Sequence, residues 1–467
     1  MAKKQPAPDL SGLSHEEKDI LILTLLARLD ALESKMRKDS HNSSRPPSSD
    51  GLTKKTNSLR ESSGKPPGGQ AGHKGTTLKR EQPTQTIDHP LPGQCDRCHG
   101  ALPLAEARVA ECRQVLDVPA AAFDVIEHRT LALVCRCGQS HVSAFPAGVT
   151  EMVQYGPNVK ALGAHLTQGQ MLPYARAAEL IQDVYGLCIS PGTLVSWVGE
   201  ASVALQGTAD RIAEYLRNAP LLHADESGLR VASKLHWLHI AASGTLTWYG
   251  VHAKRGLEAM HAHGILPRRI GILVHDCWAP YWRLDGSIHA LCNAHLLREL
   301  VYVKEITGQE WPQSMTDFLL NANKLCEAAR QKQRKFSTRE IAAFRTIYDA
   351  IVAEGEQLNP EANQSVNKRG RAKQSIAFNL LRRLRQHADA VLLFISNLAV
   401  PFTNNVGERA VRMPKVKQKI SGCFRTVVGA ENFCVIRSCL DTLRKQGHRM
   451  LDVLQRAFHG NPIQVFA

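Results

Sequence analysis

Two acids stand in runs that otherwise read as buried strand. "PLLHADESGLRVA" puts Asp225 near the middle of one strand, and "RRIGILVHDCWAPYW" puts Asp276 near the end of another. An isolated ionised carboxylate in a core is expensive, so such acids are paired, protonated or bound to metal. A divalent cation meets that need, since Mg²⁺ takes oxygen ligands from a few carboxylates together with phosphate oxygens. A third acid, Glu408, stands just ahead of a block, Arg409 to Arg425, that holds six Lys or Arg and no acid. Arg412 and Lys415 follow Glu408 at helical spacing, on one face. A carboxylate that holds metal, beside cations that grip phosphate, is a surface for a phosphodiester.

The elements around these acids have a recognisable order. "KLHWLHIAAS" and "TLTWYGVHA" read as two strands after that of Asp225, followed by a helix and then the strand of Asp276. Three meander strands, a helix and a parallel strand make a ribonuclease-H-like core, in which the acids of the first and fourth strands face each other. Residues 296–400 read as a helical insertion, broken by the basic loop "NQSVNKRGRAKQS", and the last helices span 404–413 and 430–458. Rival acids fit less well. Glu226 points to the other face of its strand, and Asp285 lies in "RLDGS", which reads as a turn. Asp225 and Asp276 as plain structural acids is the bland alternative. Cys292 and His295 leave two readings open, a second metal site or a buried cysteine and a structural histidine beside the centre.

Upstream lie smaller pieces. Residues 14–40 form a leucine-rich helix with Ile22, Leu25, Leu29, Leu32 and Met36 as a heptad seam, for a dimer zipper or simple docking. Residues 41–87 are rich in Ser, Pro, Gly and Lys and read as a flexible basic linker. In the β-rich stretch 88–150, "CDRC" and "CRCG" offer Cys95, Cys98, Cys135 and Cys137 to one structural Zn²⁺, closed to chemistry. Cys112, His99 and His141 lie near enough to replace a ligand. Residues 151–217 suggest two short helices joined by a turn, with Ser190 as N-cap and Pro191 first in the second helix, a helix-turn-helix for DNA. The catalytic core is expected over 218–425 and a C-terminal helical region over 426–467, so the fold class is α+β or α/β multidomain.

The chain has 467 residues and a formal charge of +15. That length calls for several domains, and that charge for a polyanionic partner, nucleic acid above all. No run reads as a secretory signal or a membrane span, so a cytoplasmic location and reduced thiols are expected.

These pieces together resemble the insertion-sequence family sixty-six transposases, bacterial D-D-E enzymes. The resemblance rests on "NSSRPPSSD" behind the leucine-rich helix, "GGQAGHKG", the paired cysteines, "ADESGLRV", "HDCWAPY", "CNAHLLREL", "NNVGERAVR" and "KQKISGCFR", in that order along nearly the whole chain. It departs from the family in the residue before the Ala-His of "CNAHLLREL" and in the tight Cys135–Cys137 pair. The resemblance implies a triad of Asp225, Asp276 and Glu408 holding two Mg²⁺ ions, with Mn²⁺ able to substitute. Arg412, Lys415, Lys417 and Lys419 would contact DNA. The implied partners are double-stranded DNA at element ends and target, further copies of the chain, and small accessory proteins of the same element. It also implies a place at the bacterial nucleoid. The contrasting readings are a non-catalytic DNA-binding protein, either a repressor or a decayed transposase, and a two-carboxylate hydrolase of small molecules, which the surplus positive charge disfavours.

Overall fold

The structure, a computed structural model, describes residues 12, 14–36, 38–39, 42–43, 80, 82–116, 123–362, 372 and 374–466. The linker reading for 41–87 and the basic loop of the insertion lie mostly outside the described residues. The chain divides into two compact units, Arg60–Val125 and the combination of Met1–Leu59 with Ile126–Ala467. In the smaller unit Gln94 bridges to Ala101, and a single 3₁₀ turn covers Leu104–Glu106.

In the larger unit α1 spans His15–Met36. Ser14 and Glu17 exchange backbone-to-side-chain hydrogen bonds of 2.9 and 3.2 Å, which satisfies two orphan donors at the helix start. Ile22, Leu25 and Leu29 lie along one side of the helix and are exposed, as are Ile20, Leu23 and Leu26. The side chains of Leu32 and Met36 lie outside the described residues. Strands β1 (Ala132–Val134) and β2 (Ser140–Val142) form an antiparallel hairpin.

Helices α2 (Pro157–Ala164), α3 (Tyr174–Tyr185) and α4 (Pro191–Arg217) follow. Gly186 ends α3 at φ 70°, a left-handed position that suits glycine. The Ser190 hydroxyl accepts the Thr193 N–H at 3.0 Å and caps α4. The expected second short helix is in fact 27 residues long. Its apolar positions explain this: Leu194, Trp197, Ala201, Leu205, Ala209, Ile212 and Leu216 recur every three or four residues and are all buried.

Next come β3 (Leu221–Val231), β4 (Lys234–Ala242), β5 (Thr247–His252), α5 (Leu257–His263), β6 (Gly271–His275) and β7 (Ser287–Leu291). They build one mixed sheet in the order β5-β4-β3-β6-β7. The first three strands pair antiparallel, and β6 and β7 run parallel to β3. Strand β7 was not expected; its five residues are buried only at Ala290 and Leu291.

Helices α6 (Asn293–Thr307), α7 (Trp311–Gln331), α8 (Thr338–Leu358), α9 (Ile376–Gln386) and α10 (Ala388–Ser396) form the helical stretch that follows the last strand. Their core includes Trp311, Leu319, Tyr348 and Phe394 and rests on Val274 and Ala290 of the sheet. The chain ends with α11 (Asn405–Ser421), α12 (Val427–Lys445) and α13 (Met450–Phe458). The last two were expected as one helix; Gly447, at φ 94°, separates them. Leu222 and Ala224 of β3 join a core with α4, α12 and α13, while Leu229 and Val231, on the opposite face, pack with α11. No helix among the described residues is long and apolar enough to cross a membrane.

Candidate active site

Strand register decides where the first two acids meet. Asp225 pairs with Ile240 of β4, and paired residues share a face. Ile240 belongs to the core under α11, so Asp225 faces α11 as well. On the other side of β3 the last parallel pair with β6 is His223 with Val274. Two residues further along each strand, Asp225 comes level with Asp276, the residue just past β6. Asp276 Oδ1 accepts the Trp278 N–H at 3.0 Å, which starts the turn after the strand.

Glu408 lies in the first turn of α11, and Asn404 ties that turn to the sheet. The Asn404 side chain is 2.8 Å from His223 Nδ1 through Oδ1, and donates from Nδ2 to the Ala224 carbonyl at 2.8 Å. Glu408 N–H donates to the Asn404 carbonyl at 3.0 Å. A side chain on Gly407 would meet the Asn404 amide at 3.1 Å, so the glycine lets the clamp close. Sequence reading missed Asn404; its signal was the Asn pair directly ahead of the helix.

Electrostatics link the acids. Burial pushes the Asp225 carboxyl well above the usual carboxylate range, and the charges of Glu226, Asp276 and Glu408 push it further. The Glu226 N–H, 2.8 Å from Asp225 Oδ1, opposes this. Glu226 is held on the other face of β3, where Arg255 bonds its Oε1 at 3.0 Å through Nε and Tyr281 donates to its Oε2 at 2.5 Å. Burial raises the Glu226 carboxyl too, and these two donors oppose it. Arg255 in turn stacks on Trp278, 4.0 Å from the ring centre. Neither Arg255 nor Tyr281 was singled out in the sequence, since each lies outside the quoted acid motifs or reads as core. Asp225, Asp276 and Glu408 each offer the oxygen ligands that suit a hard divalent cation, but among the described residues the group whose donor atoms lie within 4.8 Å of one another is Cys292, His295 and Glu408.

The basic residues of α11 separate by helical geometry. At 100° per residue, Arg412, Lys415 and Lys419 lie within about 40° of Glu408, and Lys417 about 180° away. Arg412 and Lys419 are exposed. Lys415 donates to the Gly228 carbonyl at 2.9 Å, and burial lowers its pKa while the charge of Asp225 opposes that. Lys417, expected at the DNA surface, is instead buried over Phe424 and Phe433, 5.3 and 5.5 Å from the ring centres. Cys292 and His295 come to Glu408 as well: the Cys292 thiol is 3.5 Å and His295 Nδ1 3.7 Å from Glu408 Oε1.

The cysteine pairs each occupy a tight turn. Cys95 lies in the smaller unit and accepts the His99 N–H at its carbonyl at 2.9 Å; Cys135, in the larger, accepts the Gly138 N–H at 2.8 Å. The residue after the second cysteine of each pair takes a left-handed φ, 57° at His99 and 87° at Gly138. Backbone N–H groups of Arg97 and Cys98 pull the Cys95 thiol pKa down, and that of Cys137 does the same for Cys135.

Comparison with known proteins gives this architecture a family. Residues 5–79 match a family of unknown function (DUF6444). The chain is similar to uncharacterized protein y4jD of Sinorhizobium fredii, 22% identical over 410 residues that cover 80% of this chain and 76% of that protein. It is similar also to uncharacterized protein y4qI of the same organism, 24% identical over 437 residues that cover 87% and 77%. Residues 152–432, which hold the whole sheet, Asp225, Asp276, Glu408 and the helices between them, match the Transposase IS66 family, and the chain belongs to it.

Proposed function

We propose that the chain is a DNA transposase that cuts DNA at the ends of an insertion sequence and joins the freed 3′-hydroxyl to target DNA. The observation that carries this is the transposase family match over residues 152–432, within which Asp225 lies on β3, Asp276 just past β6 and Glu408 in the first turn of α11. The sheet order β5-β4-β3-β6-β7, with a meander and then parallel strands, supports a ribonuclease-H-like core. In this reading Asp225, Asp276 and Glu408 hold two Mg²⁺ ions. When bound, these supply a deprotonated nucleophile and charge stabilisation at the leaving oxygen, with Mn²⁺ as a substitute.

The protein's own part is to position and to neutralise. Asp225, whose carboxyl pKa is raised by burial and by neighbouring acids, would ionise more readily beside a cation that offsets those charges. Asn404 fixes the first turn of α11 so that Glu408 stays at the sheet edge. Arg412 and Lys419, exposed on the Glu408 face, take backbone phosphates, and Lys415 braces α11 against β3 through Gly228. Each cysteine turn, taken by itself, offers a pair of sulfurs, Cys95 with Cys98 and Cys135 with Cys137, whose first thiol pKa is lowered by backbone N–H groups, the character a structural Zn²⁺ ligand needs.

The test is Mg²⁺-dependent cleavage of DNA carrying element ends. Asp225→Asn, Asp276→Asn and Glu408→Gln should each lower the cleavage rate by about 1,000-fold, the several kcal/mol a metal centre supplies. DNA binding by the same variants should persist. A variant that cuts at the wild-type rate removes that residue from the site; a wild-type chain that binds but never cuts, with Mg²⁺ or Mn²⁺, leaves the non-catalytic DNA-binding reading standing.

A further inference from the structure

We propose that Cys292, His295 and Glu408 form a second metal site, for zinc or a similarly thiophilic divalent cation, and that filling it withdraws Glu408 from the magnesium centre. The inference rests on the reading of Glu408 as a catalytic ligand. Cys292 is the N-cap residue of α6, and His295 follows one turn on, so the start of one helix presents both side chains. The Cys292 sulfur, the His295 nitrogen and a Glu408 oxygen all lie within 4.8 Å of one another. Zinc bonds of about 2.3 Å to sulfur and about 2.0 Å to nitrogen and oxygen, at tetrahedral angles, set S···O near about 3.5 Å and N···O near about 3.3 Å. The observed 3.5 Å and 3.7 Å are within a few tenths of an ångström of that, with no ion to draw the groups together.

Two further facts point to a ligand. His295 Nδ1 is buried, faces Glu408 and has no hydrogen-bond partner. The Asn404 N–H points at the Cys292 sulfur at 3.1 Å, the kind of outer bond that supports a metal thiolate. The ligand types then sort the ions. Sulfur and imidazole favour zinc, whereas the oxygen set of Asp225 and Asp276 favours magnesium. Glu408 is common to both sets, so occupation of one depletes the other, and zinc acts as a brake on strand cutting.

The full-length chain, stripped of metal, reloaded with zinc and desalted, gives the test. Elemental analysis should find one more zinc per chain in the wild type than in Cys292→Ser or His295→Gln. The zinc concentration that halves Mg²⁺-dependent cleavage should rise about ten-fold or more in either variant. Circular dichroism checks folding, and His295→Gln carries the test if Cys292→Ser does not fold. Equal zinc content and equal zinc sensitivity in folded wild type and variants overturn the proposal while leaving the transposase reading intact. If no protein cuts DNA, yet the extra zinc still depends on Cys292 and His295, the zinc site stands and the catalytic role of Glu408 falls.

Discussion

Lys417 is a charge that the fold has turned inward. Burial pushes its ammonium down to about 8, against about 10.4 in an unfolded chain. The rings of Phe424 and Phe433 return part of that cost as cation–π attraction. Below pH 8 the lysine is charged in both states and the full burial penalty opposes folding. As pH rises from 8 towards 10, the folded protein sheds the proton before the unfolded chain does, so stability gains over that window. Lys417→Met should therefore stabilise the protein at pH 7 by roughly 1–2 kcal/mol, at 1.36 kcal/mol per pKa unit less the cation–π contribution. The gain should shrink towards pH 10, and thermal melts at several pH values read it. DNA affinity should not change. The sequence showed the basic block as one surface because composition has no direction; once α11 is a helix, two residues of spacing carry Lys417 to the far side from Lys415. Asp225, Asp276 and Glu408 stand out in the sequence for the opposite reason, since a lone acid inside apolar or basic surroundings is anomalous whatever the direction.

At the scale of elements, α11 runs through Pro414, where the sequence suggested a stop near residue 413. Proline removes the N–H that would bond the carbonyl of Ala410. The Tyr249 hydroxyl of β5 lies 3.0 Å from that carbonyl and 2.6 Å from Asp441 Oδ2. Asp441 is itself paired with the buried Arg437 at 2.5 Å, so the sheet, α11 and α12 share one polar knot. A hydroxyl distant in sequence, its single proton shared between Asp441 and the Ala410 carbonyl, thus stands where the proline leaves a gap, which no local pattern reveals. The strands of the β3–β5 meander, by contrast, were readable from alternation and short turns, while β7 was too short and too half-buried to register. Tyr249→Phe should destabilise by roughly 1–3 kcal/mol, the cost of leaving buried acceptors unsatisfied. Pro414→Ala restores an N–H for Ala410, so it should lessen the Tyr249→Phe loss by roughly 1 kcal/mol in a double-mutant cycle read by chemical denaturation. Strict additivity would separate the tyrosine from the proline and reduce the knot to coincidence.

At the scale of the molecule, the helical stretch between the second and third acids leaves and returns at one neck. Asn293 N–H donates to the Phe402 carbonyl at 3.0 Å, and Asn404 N–H points at the Cys292 sulfur at 3.1 Å. Helices α6 to α10 can therefore hang from the β6–β7 edge without moving Glu408 from the sheet. The long sequence gap before Glu408 closes at that neck. The surplus charge of +15 belongs to this scale too, as it draws polyanions without regard to sequence. Which cations bind phosphate is decided by exposure and by the face they occupy, and Arg412 and Lys419 satisfy both conditions. Each phosphate contact contributes about 0.9 to the slope of log affinity against log salt on duplex DNA. Arg412→Met and Lys419→Met should each make that slope shallower by about 1, and the double variant by about 2, in binding titrations over a range of salt. Both should weaken all duplex sequences alike, because a phosphate contact carries no base information. A slope unchanged in both variants would move the DNA path off the Glu408 face of α11, and with it the phosphodiester away from the three carboxylates.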